Sequence, residues 1–455
     1  MSSFDFDVVV IGAGPAGYEV ASLLGAGGKS VCLIEKGEET VGGTCLNEGC
    51  VPAKNFLETS AYIKKEEYFK SCGVNHSAST LDMMTLQAST HCLIQDLKIG
   101  IFNKLKKSKV SIEYDTASFV DNHTLKLENQ DKTITAQDIV IASGSSHRDH
   151  PTMALEGDTI ISSREVFKLQ DIPKSILVIG GGAIGCEFAS FFNALGAEVH
   201  IAEFAPKLVF HEDDDVSRTL KREFEKKGIT IDLNANVTEH KVTDSGVEVT
   251  IDTGKKVETK TFDKVLISIG RVPNTAGLKA ENVGIELDRG AIDVNANLQI
   301  LSHDNIYAIG DVLKSPALAH VAYYEAKRVA QHILEKESFP EEYIFPSVTF
   351  CTPQIASIGK NEKALKEAGI KFKNKKLFFK TNAKAKIKGD DNGFIKVLFD
   401  EESSLILGAS IIGNDATELI HQFLIAINTK LTLNDLEKMI FAHPTLSEST
   451  LDLLH

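Results

Sequence analysis

The chain has 455 residues, 43% hydrophobic and 25% charged, the proportions of an ordinary globular protein and too long for one compact core. Acids outnumber bases, 63 to 49, for a formal charge of −14, which argues against nucleic acid as a partner. Seven cysteines, scattered except for one pair, fit a reducing cytoplasm rather than a secreted disulfide scaffold; no apolar run reaches the roughly 18 residues of a membrane helix, and no signal peptide precedes Phe6.

The first predicted element is Phe6–Ile11, a continuous apolar run that reads as a buried parallel strand. Gly12-Ala13-Gly14-Pro15-Ala16-Gly17 follows, then a helix through Leu24 and a second strand, Val31-Cys32-Leu33-Ile34-Glu35, ending in an acid. Next comes Gly42-Gly43-Thr44-Cys45-Leu46-Asn47-Glu48-Gly49-Cys50-Val51-Pro52-Ala53-Lys54. A bond between Cys45 and Cys50 would close a very short loop and stabilise little, so its use would lie in opening and closing. No second ligand pair lies near, so no metal site is expected there. Two ordinary buried cysteines are the alternative. Ile139–Ala142 reads as a further strand before Ser143-Gly144-Ser145.

The opening pattern then repeats. Ser175–Ile179 leads into Gly180-Gly181-Gly182-Ala183-Ile184-Gly185, a helix through Ala194, and the strand Glu198–Glu203. Glu203 lies as far beyond Gly180 as Glu35 lies beyond Gly12. In such a unit the first glycine allows the tight turn and the second admits a pyrophosphate. The third permits close helix–strand packing, and the acid accepts hydrogen bonds from a ribose diol. Strand, glycines, helix, strand and acid in order, twice, predict two bound dinucleotides. Glu203 would repel a 2′-phosphate, and Phe204-Ala205-Pro206 supplies no arginine to hold one, so the second site favours NAD over NADP. Lys207 is the nearest counter-candidate and reads as solvated surface.

Asn305–Ile309 is strand-like and runs into Asp311. Beyond residue 346 no third glycine fingerprint occurs. Strands are predicted at Phe394–Phe399 and Leu405–Ile412, and a helix over Ala416–Ile427 with an apolar stripe at Leu419, Ile420, Phe423, Leu424 and Ile427. The lysines between Lys371 and Lys388 read as a solvated face. The fold class expected is α/β, with two Rossmann-like domains and a C-terminal α+β domain. The expected boundaries are 1–145, 146–271, 272–345 as a second part of the first domain, and 346–455.

The Gly42–Lys54 segment carries a family resemblance, together with Gly270-Arg271-Val272-Pro273-Asn274, Tyr307-Ala308-Ile309-Gly310-Asp311, Leu318-Ala319-His320 and His443-Pro444-Thr445-Leu446-Ser447-Glu448. Over essentially its full length the chain resembles the flavin-dependent disulfide oxidoreductases, class I of the pyridine nucleotide-disulfide oxidoreductase family. Within that family it looks like the dihydrolipoamide dehydrogenases. Leu446, where the glutathione branch has Ser, leans the same way. The resemblance implies FAD at the first site, contacted by Gly12, Gly14, Gly17, Glu35, Lys36, Gly43, Thr44, Lys54, Ala117, Ser143, Gly144, Asp311, Ala319 and His320. It implies NAD at the second, contacted by Gly180, Gly182, Ala183, Ile184, Gly185, Glu187, Glu203, Gly270 and Arg271.

It also implies a Lys54–Glu187 salt bridge beside the flavin edge and a homodimer formed by the C-terminal domain. His443, oriented by Glu448, would serve the Cys45–Cys50 disulfide of the other subunit. The implied partners are lipoyl domains of 2-oxo acid dehydrogenase acyltransferase subunits or the glycine cleavage H protein. The chain departs from the family pattern at Asp115, where Gly is common, at Gln354, where Glu is usual, and at Ser143, where Thr is more familiar.

Overall fold

In the computed structural model the described residues are 4–75, 77, 79–340 and 342–454. They form two compact units. The first comprises 1–53, 85–148 and 271–343; the second comprises 54–84, 149–270 and 344–455.

The first unit is built on a seven-stranded sheet. At its centre Phe6–Ile11 runs parallel to Val31–Glu35 on one side, Val8 opposite Val31, and to Lys132–Ile141 on the other, Val9 opposite Ile139. Ser111–Tyr114 and Ile306–Ala308 add parallel strands outside these two. Val8, Val9 and Val10 have no exposed surface, which is why the run is apolar without alternation. The parallel step to Val31–Glu35 requires a crossover, supplied by the helix Pro15–Ala26, with Gly14 as its N-cap and Pro15 in its first turn. The helix Ala319–Glu335 packs against it.

The second unit repeats the device. Its parallel sheet runs Thr230–Leu233, Glu198–Glu203, Ser175–Ile179, Lys264–Ile267, Ile160–Ser162. A three-stranded antiparallel meander follows, Asn236–Thr243, Gly246–Asp252 and Val257–Phe262. An antiparallel sheet runs Pro346–Thr349, Gln354–Gly359, Ile406–Gly413, Phe394–Asp400, Phe372–Phe378. On it lies the helix Ala416–Asn428, whose Leu419, Ile420 and Phe423 are buried. Residues 54–84 go with this unit because Phe56 packs against Phe167 and Phe191. Among the described residues no helix is long and apolar enough to cross a membrane.

Candidate active site

Both glycine loops have the local form a dinucleotide requires. Gly12 and Gly180 stand at φ +99° and +105°, and a Cβ on either would come 2.5 Å from a neighbouring strand's carbonyl oxygen, that of Ala142 or Ser268. A Cβ on Gly17 or Gly185 would lie 1.7 or 1.9 Å from the carbonyl oxygen of the first glycine, so helix and turn touch there. At the middle positions the space is open: nothing lies within 4 Å of a Cβ on Gly182, and only the Gly43 Cα, at 3.9 Å, is near one on Gly14. These cradles fit a pyrophosphate at a helix N-terminus, where backbone N–H groups and the helix dipole meet its charge.

The acids tie back onto the same loops. Glu35 accepts from the Ala13 N–H at 2.6 Å, from the Lys36 N–H at 2.9 Å and from the Thr40 hydroxyl at 2.8 Å. Glu203 accepts from the Gly181 N–H, and from the Ala205 N–H at 2.5 Å. Lys207 is engaged elsewhere, donating to the Glu212 carbonyl at 2.6 Å and to Asp214 at 2.8 Å. Ala183 and Ile184 open the second helix, beside the exposed Gly182.

The cysteine segment is helical. Gly43–Glu48 forms one short helix and Cys50–Ser71 a long one, with Gly49 between them. Asn47 pins the first by donating to the carbonyls of Thr40, Val41 and Gly43. Gly43, just ahead of Thr44, sits at φ +63°, and a Cβ there would stand 2.6 Å from the Gly14 Cα. The cysteine segment is thereby seated on the first fingerprint. Cys45 is half-buried and Cys50 is exposed. Cys32, Cys186 and Cys351 are buried, and burial pushes all three thiols up, Cys32 to about 12, away from thiolate chemistry.

Lys54 and Glu187 meet as expected: Nζ stands 3.0 and 2.9 Å from the two carboxylate oxygens. Glu187 also accepts from the Phe350 N–H at 2.9 Å, and Lys54 lies over the Phe350 ring at 4.7 Å. In the first unit Asp311 accepts from the Ser145 hydroxyl at 2.5 Å. Ser143 and Gly144 are bound to Asn274, the Ser143 hydroxyl donating to its carbonyl at 2.8 Å and its N–H donating to the Gly144 carbonyl at 2.8 Å. Arg271 stands beside Asp311 at 3.7 Å and donates to the Ser145 hydroxyl at 2.7 Å. Gly270 belongs to the other unit. Ala319 and the exposed His320 open their helix, and Ala117 is buried at the start of its strand. The unusual Asp115 accepts from the N–H groups of Thr116, Asn129 and Gln130 at 2.7 to 3.0 Å. Burial pushes its carboxyl up, but these bonds outweigh it and hold the group below the usual carboxylate range.

His443 Nδ1 lies 2.8 Å from Glu448 Oε2, with the imidazole side chain 74% exposed and the carboxylate 14%. The chain turns back through Thr445, whose hydroxyl donates to the Ala442 carbonyl at 2.7 Å and accepts from the Glu448 N–H at 3.2 Å. Two residues that sequence reasoning missed brace this turn. The buried Asn382 donates to the Thr445 carbonyl at 3.0 Å and to Ser449 at 2.9 Å, and Gln422 donates to Ser447 at 3.0 Å. Leu446 is anchored in the core below. The lysine-rich face is solvated but also paired: Lys373 with Glu401, Lys376 with Asp215, Lys386 with Asp391 and Lys388 with Asp415.

Residues 6–326 match the pyridine nucleotide-disulphide oxidoreductase model, and residues 345–453 the dimerisation domain of those proteins. The chain is 35% identical over 455 residues to the mitochondrial dihydrolipoyl dehydrogenase of Schizosaccharomyces pombe, covering 98% of this chain and 88% of the relative. It is 34% identical over 447 residues to the dihydrolipoyl dehydrogenase of Bacillus subtilis, covering 97% and 96%. Among solved structures, the HOCl-induced flavoprotein disulfide reductase RclA from Escherichia coli superposes with a TM-score of 0.88 at 27% identity, over 98% of this chain and 99% of that one. LpdA from Mycobacterium tuberculosis does so with a TM-score of 0.89 at 26% identity, over 98% of each.

Proposed function

The chain belongs to the pyridine nucleotide-disulphide oxidoreductase family, and from that premise we propose that it oxidises dihydrolipoamide to lipoamide and reduces NAD⁺ to NADH. It uses FAD and NAD, and it dimerises through the C-terminal domain. The observation that carries the reading is the His443–Glu448 pair: an exposed imidazole held at 2.8 Å by a largely buried carboxylate, an arrangement suited to proton transfer. Full-length similarity to dihydrolipoyl dehydrogenases supports the substrate.

In this reading FAD is held at the Gly12–Gly17 cradle with Glu35 and Asp311, and NAD at the Gly180–Gly185 cradle with Glu203. When bound, the flavin supplies the route by which an electron pair from the reduced cysteines reaches NAD⁺ as hydride. The protein's own residues do the rest. His443 of one subunit takes a proton from a dihydrolipoamide thiol, and the resulting thiolate attacks Cys45 of the other. The Cys45–Cys50 bond breaks and Cys50, the first residue of its helix, leaves as a thiolate at the helix's positive end. After His443 has released that first proton to solvent, it takes the proton of the second lipoyl thiol, whose sulfur displaces Cys45 as a thiolate from the mixed disulfide and closes the lipoamide ring. Dihydrolipoamide has lost two electrons in becoming lipoamide, and the cysteine pair has gained them. Glu448 keeps the imidazole in one tautomer and stabilises its charged form.

The lipoyl substrate is carried on a protein arm, of an acyltransferase subunit or a glycine cleavage H protein, in the cytoplasm. One assay pair tests the reading. Purified protein should oxidise dihydrolipoamide with NAD⁺; reduction of glutathione disulfide with NADPH, and none of lipoamide with NADH, would replace it by another disulfide reductase of the family.

A further inference from the structure

Beyond Glu203 the chain leaves the second cradle through a segment that is tied down twice. Of residues 204–213, Phe204, Pro206, Phe210 and His211 are exposed, and only Leu208, Val209, Glu212 and Asp213 are buried. Leu208 and Val209 sit on the glycine loop. The Val209 N–H donates to the Gly181 carbonyl at 2.8 Å, and a Cβ on Gly181 would meet Leu208 Cδ2 at 2.5 Å. Gly181 is also the residue whose N–H reaches Glu203. Val209 stands at φ +42°, a conformation costly for a β-branched residue and kept only where its surroundings impose it.

Glu212 and Asp213 sit on the antiparallel sheet of the C-terminal domain. Ser357, on the strand Gln354–Gly359, donates to Glu212 at 3.0 Å. Asp213 is the N-cap of the helix Asp214–Lys226, yet its carboxylate makes no capping bond to that helix. It pairs instead with Lys396 Nζ at 2.7 Å and accepts from the Glu362 N–H at 3.0 Å. Lys396 is buried on the strand Phe394–Asp400, and Asp215 at 2.8 Å and Glu362 at 3.0 Å complete the compensation of its charge. The two anchors are also joined to each other. The Glu212 N–H donates to the Val209 carbonyl at 2.8 Å, and Lys207 donates to the Glu212 carbonyl at 2.6 Å.

Resting on the placing of NAD at the Gly180–Gly185 cradle, we propose that Lys396 is a positioning residue for NAD. Through Asp213 it fixes the segment 204–213, and with it the seat of Val209 on Gly181 beside Glu203. It touches no reacting group. Without it Asp213, Asp215 and Glu362 would repel one another, the far anchor would open, and the wall of the cradle would loosen. The effect falls on nucleotide affinity and leaves the thiol chemistry alone.

Two measurements on the FAD-loaded protein test the assignment: the KM for NADH in dye reduction, which needs no lipoamide, and hydrogen exchange of the peptide containing Val209 with no nucleotide added. Lys396→Met should raise that KM about 3- to 10-fold while kcat stays within about twofold. Exchange of the Val209 peptide should quicken about 10-fold. Asp213→Asn keeps an acceptor for the Glu362 N–H and loses only the charge facing Lys396. It should act the same way by less, and it serves where Lys396→Met does not fold. An unchanged KM in a variant that retains FAD overturns the proposal, as does a kcat that falls as far as the KM rises. A lowered melting temperature with KM and exchange unmoved, the mark of an ion cluster that only joins two layers, overturns it too. Glu203→Ala separates the proposal from its premise. A KM raised there but unmoved by Lys396→Met and Asp213→Asn removes the positioning role alone; a KM unmoved by Glu203→Ala removes the NAD site and the role with it.

Discussion

The two glycine cradles share a turn, a helix start and an acid, yet they are finished differently. In the first, Gly14 is half-buried and covered by Gly43, while Thr40 and the Lys36 N–H close round Glu35. In the second, Gly182 and Ala183 are exposed, and Glu203 is followed by Phe204, 78% exposed. Phe204 and Phe210 line an open apolar cleft of about 540 Å³. An enclosed cradle suits a nucleotide that stays, and an open one suits a nucleotide that must leave at every turnover. Under the assignment proposed above, the same local fold would serve retention or exchange according to what the chain lays over it.

The most forceful way to separate the cradles from the thiol chemistry is His443→Gln. Lipoamide turnover should fall about 10²- to 10⁴-fold, the usual worth of a general base. Reduction of an artificial dye by NADH, which needs only the cradles, should persist; an equal loss in both assays would sink the division. The contrast between the cradles themselves is tested by adding one methyl to each. Gly43→Ala meets Gly14 backbone at a positive φ, so it should cost about 2–4 kcal/mol and release FAD on gel filtration. Gly182→Ala should leave FAD content alone and raise the KM for NAD about fivefold, roughly 1 kcal/mol. Equal effects on FAD retention would show that the cradles do not differ as described.

The units also differ in how their buried acids respond to pH. Glu212, in the second, is pushed up to about 7 by burial, with the Ser357 hydroxyl at 3.0 Å as its partner. A carboxyl raised in the fold contributes stability that is full below its unfolded value and lost as pH rises through about 7. Glu212→Gln should therefore be more stable than the unaltered protein at pH 8, by about 1–3 kcal/mol, with the gain fading toward pH 4. Asp115, in the first, has the opposite sign. Its stabilisation is present above the unfolded value and lost as pH falls through the depressed one. Asp115→Asn should cost about 1 kcal/mol at pH 7, and less as pH drops below 4. Melting curves at three pH values check both.

Much of this was legible in the sequence because the signals are local. Glycine spacing, the acid ending each second strand, the cysteine segment and the helical stripe at Leu419–Ile427 each lie within one element and its neighbours. What escaped depends on pairs the topology creates. Lys396 reads as one residue of an apolar strand, yet it is 1% exposed and held by Asp213, Asp215 and Glu362 at 2.7 to 3.0 Å. Asn382, bracing the His443 turn, lies 63 residues from the carbonyl it binds. The partners of Arg271 escaped for the same reason: Ser145 lies 126 residues away in the sequence.

The His443–Glu448 pair is prepared by its own chain but left facing outward. Under the composite site proposed above, an isolated subunit holds both halves of the machinery and can use neither, so catalysis becomes a property of protein concentration. Specific activity on lipoamide would fall on dilution below the dimer's dissociation constant and return on reconcentration, whereas dye reduction, which needs no second imidazole, would dilute in simple proportion.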